Sequence, residues 1–349
     1  MRSEIEPLLR VRDLSVTFPA APDRTYAVVE RVSFDVGRGE IVGLVGESGS
    51  GKSMSLLSIL GAVPRPGLVS ATSLSFEGRD LLALSEPARR ELRGSRIALI
   101  PADALGALDP VLRVGEQTAD VIVDHDAQPR RSIATARVLE AFREVSLPNP
   151  KSRFRSYPHQ LSGGMQQRVV IAAGLLLTPD LLLADEPTTA LDATIQAQVL
   201  RLLASIRETR GVSIILVSHD LATVAMISDR ILVMYAARIV ESGPTLAVMS
   251  APAHPYTRAL LAAAPTLDRE ITTTLPTIPG APPDLRVSDQ GCRFRARCPV
   301  FEFLGAPSEC VSSDPPLRPV ADGRLAACHH VDEGFPVVGA GTLASGSLP

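Results

Sequence analysis

The sequence predicts an α/β protein built on a largely parallel sheet with helices on both faces, and three observations carry that prediction. Short apolar runs at IALI (97–100), LLLAD (181–185), SIILVS (213–218) and RILVMY (230–235) have helical patterns between them, as a βαβ chain requires. The stretch GESGSGKS at 46–53 lies between the apolar run IVGLVG and the helical pattern MSLLSILGAV. Hydrophobic residues make up 45 % of the 349, ample for a sizeable buried core.

Taken in order, the first residues, MRSEIEPLLRVRDLSVTF, carry charges throughout and lack the apolar region of a signal peptide. Residues 8–18 and 28–45 read as paired strands, the second running straight into 46–53. From about 101 to 165 the pattern is helical and polar, with turn signals at Asp109-Pro110 and Pro148-Asn149-Pro150. The run VVIAAGLLL (169–177) is about half the roughly 20 residues that span a bilayer and reads as a buried helix, so a soluble, cytosolic chain is expected. Beyond about 250 proline becomes dense, periodicity fades, and residues 336–349 look like a flexible tail. The charge balance, 35 − 38 = −3, is too even for a nucleic-acid or anionic-lipid partner held mainly by charge, and no nucleic-acid partner is expected.

Lysine is rare: Lys52 and Lys151 are the only two in the chain. Lys52 closes Gly46-x4-Gly51-Lys52-Ser53, the pattern of a P-loop in its required strand-to-helix context. The backbone of Gly46, Glu47, Ser48, Gly49, Ser50 and Gly51 can wrap phosphates with its N–H groups. Lys52 then supplies charge to the β- and γ-phosphates, and the Ser53 hydroxyl reaches Mg²⁺. LLLAD ends in Asp185, which a parallel sheet would deliver to its edge as a second Mg²⁺ ligand, and Glu186 follows as a candidate general base. An Asp-Glu pair by itself is usually a solvated turn; in a P-loop chain after an apolar strand it reads as a site.

A second glycine-rich turn, LSGGMQQR at 161–168, poses the question of why one chain carries two phosphate-binding turns. GESGSGKS, LSGGMQQR, LLLADEPTTALD and VSHD, in that order over residues 8 to about 250, resemble the nucleotide-binding subunit of an ABC transporter. The resemblance implies a P-loop NTPase of ABC type, with a RecA-like core, an antiparallel β subdomain and a helical subdomain at about 101–165. It implies that two ATPase chains pack head to tail, so that Ser162, Gly163, Gly164 and Gln166 cap the ATP held by the partner's P-loop. It further implies that Asp192 couples the two sites, that His219 is the switch histidine on the γ-phosphate, and that an aromatic stacks on adenine, for which Tyr26 is the candidate although it lies a few residues off the family's usual place. One position departs from the pattern: where the family reads close to FQDP, this chain reads Pro101-Ala102-Asp103, and the Ala102 methyl cannot coordinate Mg²⁺ or relay movement.

The residues after 250 narrow the branch. HPYTRALLAAAP (254–265), IPGAPPDL and GCRFRARCP, together with DATIQAQVL after Asp192, resemble the oligopeptide, dipeptide and nickel importer ATPases. The chain thus divides into an ATPase domain (1–250), a C-terminal extension (251–335) and a tail (336–349). All four cysteines, Cys292, Cys298, Cys310 and Cys328, fall in the extension. Clustered thiols in a cytosolic chain suggest metal ligation, although the spacing lacks the CxxC pairs of zinc ribbons. The resemblance implies a [4Fe–4S] cluster; His329 and His330 keep zinc open, and bare thiols are the third reading. The arginines around the first two cysteines would offset an anionic cluster or be solvated.

The function expected is ATP hydrolysis coupled to peptide uptake, with ATP and Mg²⁺ as ligands. The partners implied are two transmembrane permease subunits, a second and different ABC ATPase subunit, and an extracytoplasmic solute-binding protein, with this chain on the cytoplasmic face of the membrane. Three alternatives stand beside it: a catalytically weak, regulatory ABC subunit, an importer of nickel or another small solute, and a soluble ABC protein of translation or DNA repair.

Overall fold

Period-two alternation sorts this chain into two cores. In a computed structural model, residues 6–21, 24–125, 130–189, 191–263, 277–287 and 290–331 are described; the expected tail at 336–349 lies outside them. The strands are β1 (Leu9–Ala21), β2 (Arg24–Val36), β3 (Ile41–Val45), β4 (Leu68–Ser70), β5 (Ser73–Phe76), β6 (Arg79–Asp80), β7 (Ile97–Ile100), β8 (Leu181–Asp185), β9 (Ser213–Ser218), β10 (Arg230–Tyr235), β11 (Arg238–Pro244), β12 (Arg318–Pro319) and β13 (Leu325–Ala326). Strands β10, β3, β9, β8 and β7 form a parallel sheet in that order, and β11, β13 and β12 extend its edge antiparallel. The four runs expected as strands match β7 to β10 residue for residue.

Along these strands alternate side chains enter opposite cores. Ile41, Val45, Leu182, Ala184, Ile214 and Leu216 face the helical side, against the helices Gly163–Leu175 and Ala193–Arg210. Val42, Leu44, Leu181, Leu183, Ile215 and Val217 face the second sheet, in which β2, β1, β5 and β6 pair antiparallel and β4 pairs with β1. Both faces are covered, which is why the parallel strands read as unbroken apolar runs.

The expected pair 8–18 and 28–45 needs correction. β2 pairs with β1 from Leu9↔Val36 onward, but the second run breaks at 37–40 and resumes as β3 in the other sheet. Gly37 and Gly39, the latter with φ 66°, make the turn, and the Glu40 carboxylate accepts the Gly37 N–H at 2.7 Å. The helical subdomain appears as Val114–Val123, Arg131–Glu144 and Pro150–Phe154, packed through Val138, Phe142 and Val145. Past residue 250 the chain returns to the main sheet as β12 and β13 and sends Tyr256 and Phe294 into the helical-side core beside Tyr235. No helix among the described residues is long and apolar enough to cross a membrane.

Candidate functional site

Residues 46–51 leave β3 at the carboxyl edge of the sheet, between β9 and β10, where parallel sheets open their ligand crevices. Two of the glycines are fixed by close approach. A Cβ at Gly46 would lie 2.1 Å from the Met234 carbonyl oxygen, and one at Gly51 would lie 2.3 Å from that of Val28. Gly51 also has φ 105°, a conformation that other residues reach only under strain. Gly51→Ala is therefore expected to distort the loop at a cost of about 1–3 kcal/mol and to weaken ATP binding accordingly, as a titration with a fluorescent ATP analogue would read.

The helix Lys52–Ile59 starts from this loop without a side-chain cap, so its first N–H groups and dipole favour an anion. Lys52 is buried, and its Nζ donates to the carbonyls of Gly46 (2.7 Å) and Glu47 (3.0 Å). Burial lowers its pKa, while the charges of Glu186, Asp185 and Glu47 oppose that. Ser53 Oγ donates to Asp185 Oδ1 at 3.0 Å. Burial raises the Asp185 carboxyl, the Ser53 hydrogen bond works against that, and Glu186 adds to it. A hydroxyl beside a desolvated carboxylate is a donor pair suited to a hard cation such as Mg²⁺.

Glu186 follows with φ 44°, an uncommon left-handed backbone for a glutamate. Its N–H donates to Val217 O at 3.0 Å, its Oε2 accepts from Thr189 Oγ1 at 2.8 Å, and His219 Nδ1 lies 3.1 Å away. Lys52 Nζ is 3.9 Å from its other oxygen. Burial works to raise this carboxyl, but the Thr189 and His219 hydrogen bonds prevail and hold it below the usual range. The group is thus ionised at neutral pH and able to accept a proton. Ala102 is exposed just past β7, whose Ile100 pairs with Ala184, so its turn leaves the sheet beside Asp185 and Glu186.

The second glycine-rich turn stands apart from this cluster and caps its own helix. Ser162 Oγ accepts the Met165 N–H at 3.4 Å. A Cβ at Gly164 would meet Ile195 Cγ2 at 2.7 Å, whereas one at Gly163 would find only Leu191 at 3.6 Å. Asp192 Oδ1 accepts the N–H groups of Thr194 and Ile195, both at 3.0 Å, so Asp192 caps the helix whose Ile195 packs on Gly164. Gln166 turns inward and donates to the carbonyls of Pro158 (2.9 Å) and Leu161 (3.4 Å), fastening the turn ahead of its helix. Tyr26 lies half-buried on β2, its ring 6.2 Å from that of Phe18, two residues before the Val28 that crowds Gly51.

All four cysteines are free, Cys310 and Cys328 buried and the other two half-buried. The Cys292 N–H donates to Cys310 O at 2.9 Å. Burial pushes the Cys292 thiol up to about 12, with Cys298, Cys328 and Cys310 adding to the shift, and pushes Cys328 up to about 11. Backbone hydrogen bonds from Phe294, Phe301 and His330 work the other way at Cys292, Cys298 and Cys328. Among the described residues no group of three or more His, Cys, Asp or Glu is arranged to hold a metal ion. His329 Nε2 lies 3.0 Å from Ser313 O and His330 Nε2 3.4 Å from Glu309.

Of the arginines expected to offset a cluster or face solvent, Arg295 stays beside the thiols, donating to Cys292 O at 3.2 Å and working to lower the Cys310 thiol, whereas the other two turn elsewhere. Arg293 pairs with Glu30, and Arg297 is buried in a two-pronged bond to Glu47, 2.8 and 2.9 Å. Tyr256 OH accepts the Glu47 N–H at 2.9 Å. Sequence reasoning missed these contacts; HPYTRALL pointed to the segment, but only the fold brings it to the loop.

The sequence profile of the family described as ABC transporter matches residues 29–189, and that of the oligopeptide/dipeptide transporter C-terminal region matches 240–302. The chain is 44 % identical over 325 residues to the dipeptide transport ATP-binding protein DppD of Escherichia coli, covering 93 % of this chain and 96 % of that one. It is 43 % identical over 329 residues to the oligopeptide transport ATP-binding protein OppD of the same organism, covering 94 % of each. Among solved structures, the post-hydrolysis dimer of the ATP-binding cassette MJ0796 bound to ADP and phosphate superposes with a TM-score of 0.59 at 25 % identity, over 68 % of this chain and 98 % of that one.

Proposed function

This chain belongs to the ABC transporter family of ATPases, and from that premise we propose that it hydrolyses ATP to drive the uptake of di- or oligopeptides. The observation that carries the cargo class is likeness over nearly the whole chain, C-terminal region included, to two peptide-transport ATP-binding proteins. In this reading the chain sits on the cytoplasmic face of two permease subunits, opposite a second and different ATPase chain, in a system fed by an extracytoplasmic solute-binding protein. Reconstitution with the permease genes' products and a panel of di- and oligopeptides tests it: peptide-stimulated ATPase supports the reading, and stimulation by nickel alone would move the cargo to the alternative.

The site residues divide the work as follows. The backbone N–H groups of the loop 46–51 other than those of Glu47 and Ser50, together with the Lys52 ammonium, bind the β- and γ-phosphates, and Ser53 with Asp185 would hold Mg²⁺, which when bound draws charge off the phosphates. Glu186 takes a proton from the attacking water as its oxygen bonds to the γ-phosphorus and the bond to the β-phosphate oxygen breaks, releasing ADP. Thr189 and His219 aim Glu186, and His219, bonded to Glu186, would sense the γ-phosphate. Ser162, Gly163 and Gly164 present the start of a helix, open at Gly163, to the partner's ATP, Asp192 braces that turn through Ile195, and Tyr26 flanks the adenine.

The cysteines are the last part of the proposal. What supports this part is that four free thiols lie in one segment with backbone N–H groups toward three of them; as they stand, no three of the described side chains are arranged to hold a metal ion. Cys292, Cys298, Cys310 and Cys328 would hold a [4Fe–4S] cluster, which can carry one electron when bound. Protein purified without oxygen is expected to be brown, to absorb broadly near ~400 nm and to contain iron and sulfide. Colourless protein with one zinc per chain would move the cysteines to the zinc reading.

A further inference from the structure

We infer that Tyr256 and Arg297 are positioning residues for the ATP loop, so that the segment after residue 250 sets the affinity of this chain's own P-loop. The inference rests on the P-loop being the ATP site. Glu47 is the second residue of that loop, and both of its ends are held by residues from beyond 250. Tyr256 OH accepts the Glu47 N–H at 2.9 Å, and the Arg297 guanidinium clasps both carboxylate oxygens at 2.8 and 2.9 Å. Such two-pronged pairs fix direction as well as distance.

Each brace is itself locked. Arg297 is buried, donates from Nε to Pro279 O at 2.8 Å and lies over the Tyr235 ring, 5.8 Å from its centre. Tyr256 is fully buried between Tyr235 and Phe294, with ring centres 4.6 and 5.5 Å away. Its helix begins at a fixed point: the fully buried Glu241 accepts the N–H groups of Ala253 and His254 at 2.7 and 2.8 Å, and His254 Nδ1 accepts the Tyr256 N–H at 3.0 Å. That is a physical reason for the order His254-Pro255-Tyr256. The histidine and the helix start aim the phenol, and the proline sits where a helix needs no N–H.

A second grip runs through the β10–β11 turn. Ala236 and Ala237 have φ 46° and 72°, an unfavourable pair for alanine that persists only when its surroundings impose it. Arg293 donates to Ala236 O, and Ala237 N–H donates to Ser50 O, inside the ATP loop, at 3.1 Å. The chain between Cys292 and Cys298 therefore holds the loop at Glu47 directly and at Ser50 through one turn.

The test is a double-mutant cycle on the full chain, reading ATP affinity with a fluorescent ATP analogue and, in the reconstituted complex, KM and kcat for ATP. Arg297→Gln is expected to weaken ATP binding about ten-fold, raising KM with kcat at saturating ATP little changed. In a Glu47→Gln background the same substitution should cost less than three-fold, because its partner is gone. Tyr256→Phe keeps the ring in its aromatic cluster and removes only the acceptor, so it reports on the brace even if Arg297→Gln fails to fold; it should weaken binding several-fold at unchanged Tm. Unaltered affinity in Tyr256→Phe together with a non-additive effect absent from the cycle would overturn the inference. Lys52→Ala serves as control: if it binds ATP like the parent chain, the P-loop reading fails and the brace with it, whereas a flat response to Tyr256→Phe and Arg297→Gln beside a dead Lys52→Ala sinks the brace alone.

Discussion

Glu186→Gln is expected to cut hydrolysis at this chain's P-loop site by ~10²–10⁴-fold while ATP stays bound, because the amide keeps the side chain's shape but cannot take the proton. The carboxylate is held for that task by three neighbours: Thr189 at 2.8 Å, His219 at 3.1 Å and the Lys52 ammonium at 3.9 Å. The left-handed backbone at Glu186 has the same sense, since strain of that kind survives where the surroundings fix a working geometry. The phosphate-binding groups are untouched by the substitution, so affinity should hold or rise. The measurement is phosphate release from the assembled complex with the partner's site disabled, beside retention of labelled ATP. Undiminished hydrolysis there would remove Glu186 from the role of base.

Gly163→Asp should have an effect as large, felt at the other site. A Cβ at Gly163 meets nothing nearer than Leu191 at 3.6 Å, so the aspartate fits the chain's own fold. At the start of the helix Gly163–Leu175 it would put a negative group where the partner's γ-phosphate is expected. The matching change at Gly164 would be ambiguous, because Ile195 leaves no room there and the fold itself would suffer. If the two ATPase chains differ, the two sites are unequal. On this chain's side of its own site the turn beside Asp185 and Glu186 carries Ala102, whose methyl does nothing for Mg²⁺ or water, while the residues of its second turn match the signature. Gly163→Asp is therefore expected to abolish most turnover of the complex, and Glu186→Gln to cost less of the total. Should Glu186→Gln prove the more damaging, Ala102 is a tolerated replacement and the two sites are alike.

The proposed ATP site was legible in the sequence because its parts are local. A loop that wraps phosphate needs glycine at fixed intervals and a lysine at its end, and a sheet edge needs an apolar run that stops on a carboxylate; both are patterns of a few residues. β7 to β10 were read without error for the same reason, since strands buried on both faces leave unbroken apolar runs. The short β4 to β6, β12 and β13 were not read, because a half-exposed or two-residue strand carries no such run, and β11 was not read because Glu241, Ser242 and Gly243 break its apolar run although it is buried. The split of 28–45 between two sheets was hidden too: either sheet would satisfy the apolar pattern, and only the turn at Gly37 and Gly39 separates them.

What the sequence offered by itself was therefore a proposal for the chemistry: candidates for phosphate, for the metal and for the proton, and, through the family resemblance, a second turn expected to serve a partner's nucleotide. What only the tertiary structure decided was who holds whom. Arg297 and Glu47 are 250 residues apart in the chain, and nothing local to either announces the other; read alone, an arginine beside a cysteine is an ordinary surface charge. Their pairing follows from β13 joining β11 and from Tyr256 and Phe294 filling the core beside Tyr235, which carries the cysteine segment to the mouth of the P-loop. Contacts of that kind are set by how packed surfaces meet, a property of the whole fold that no short pattern records.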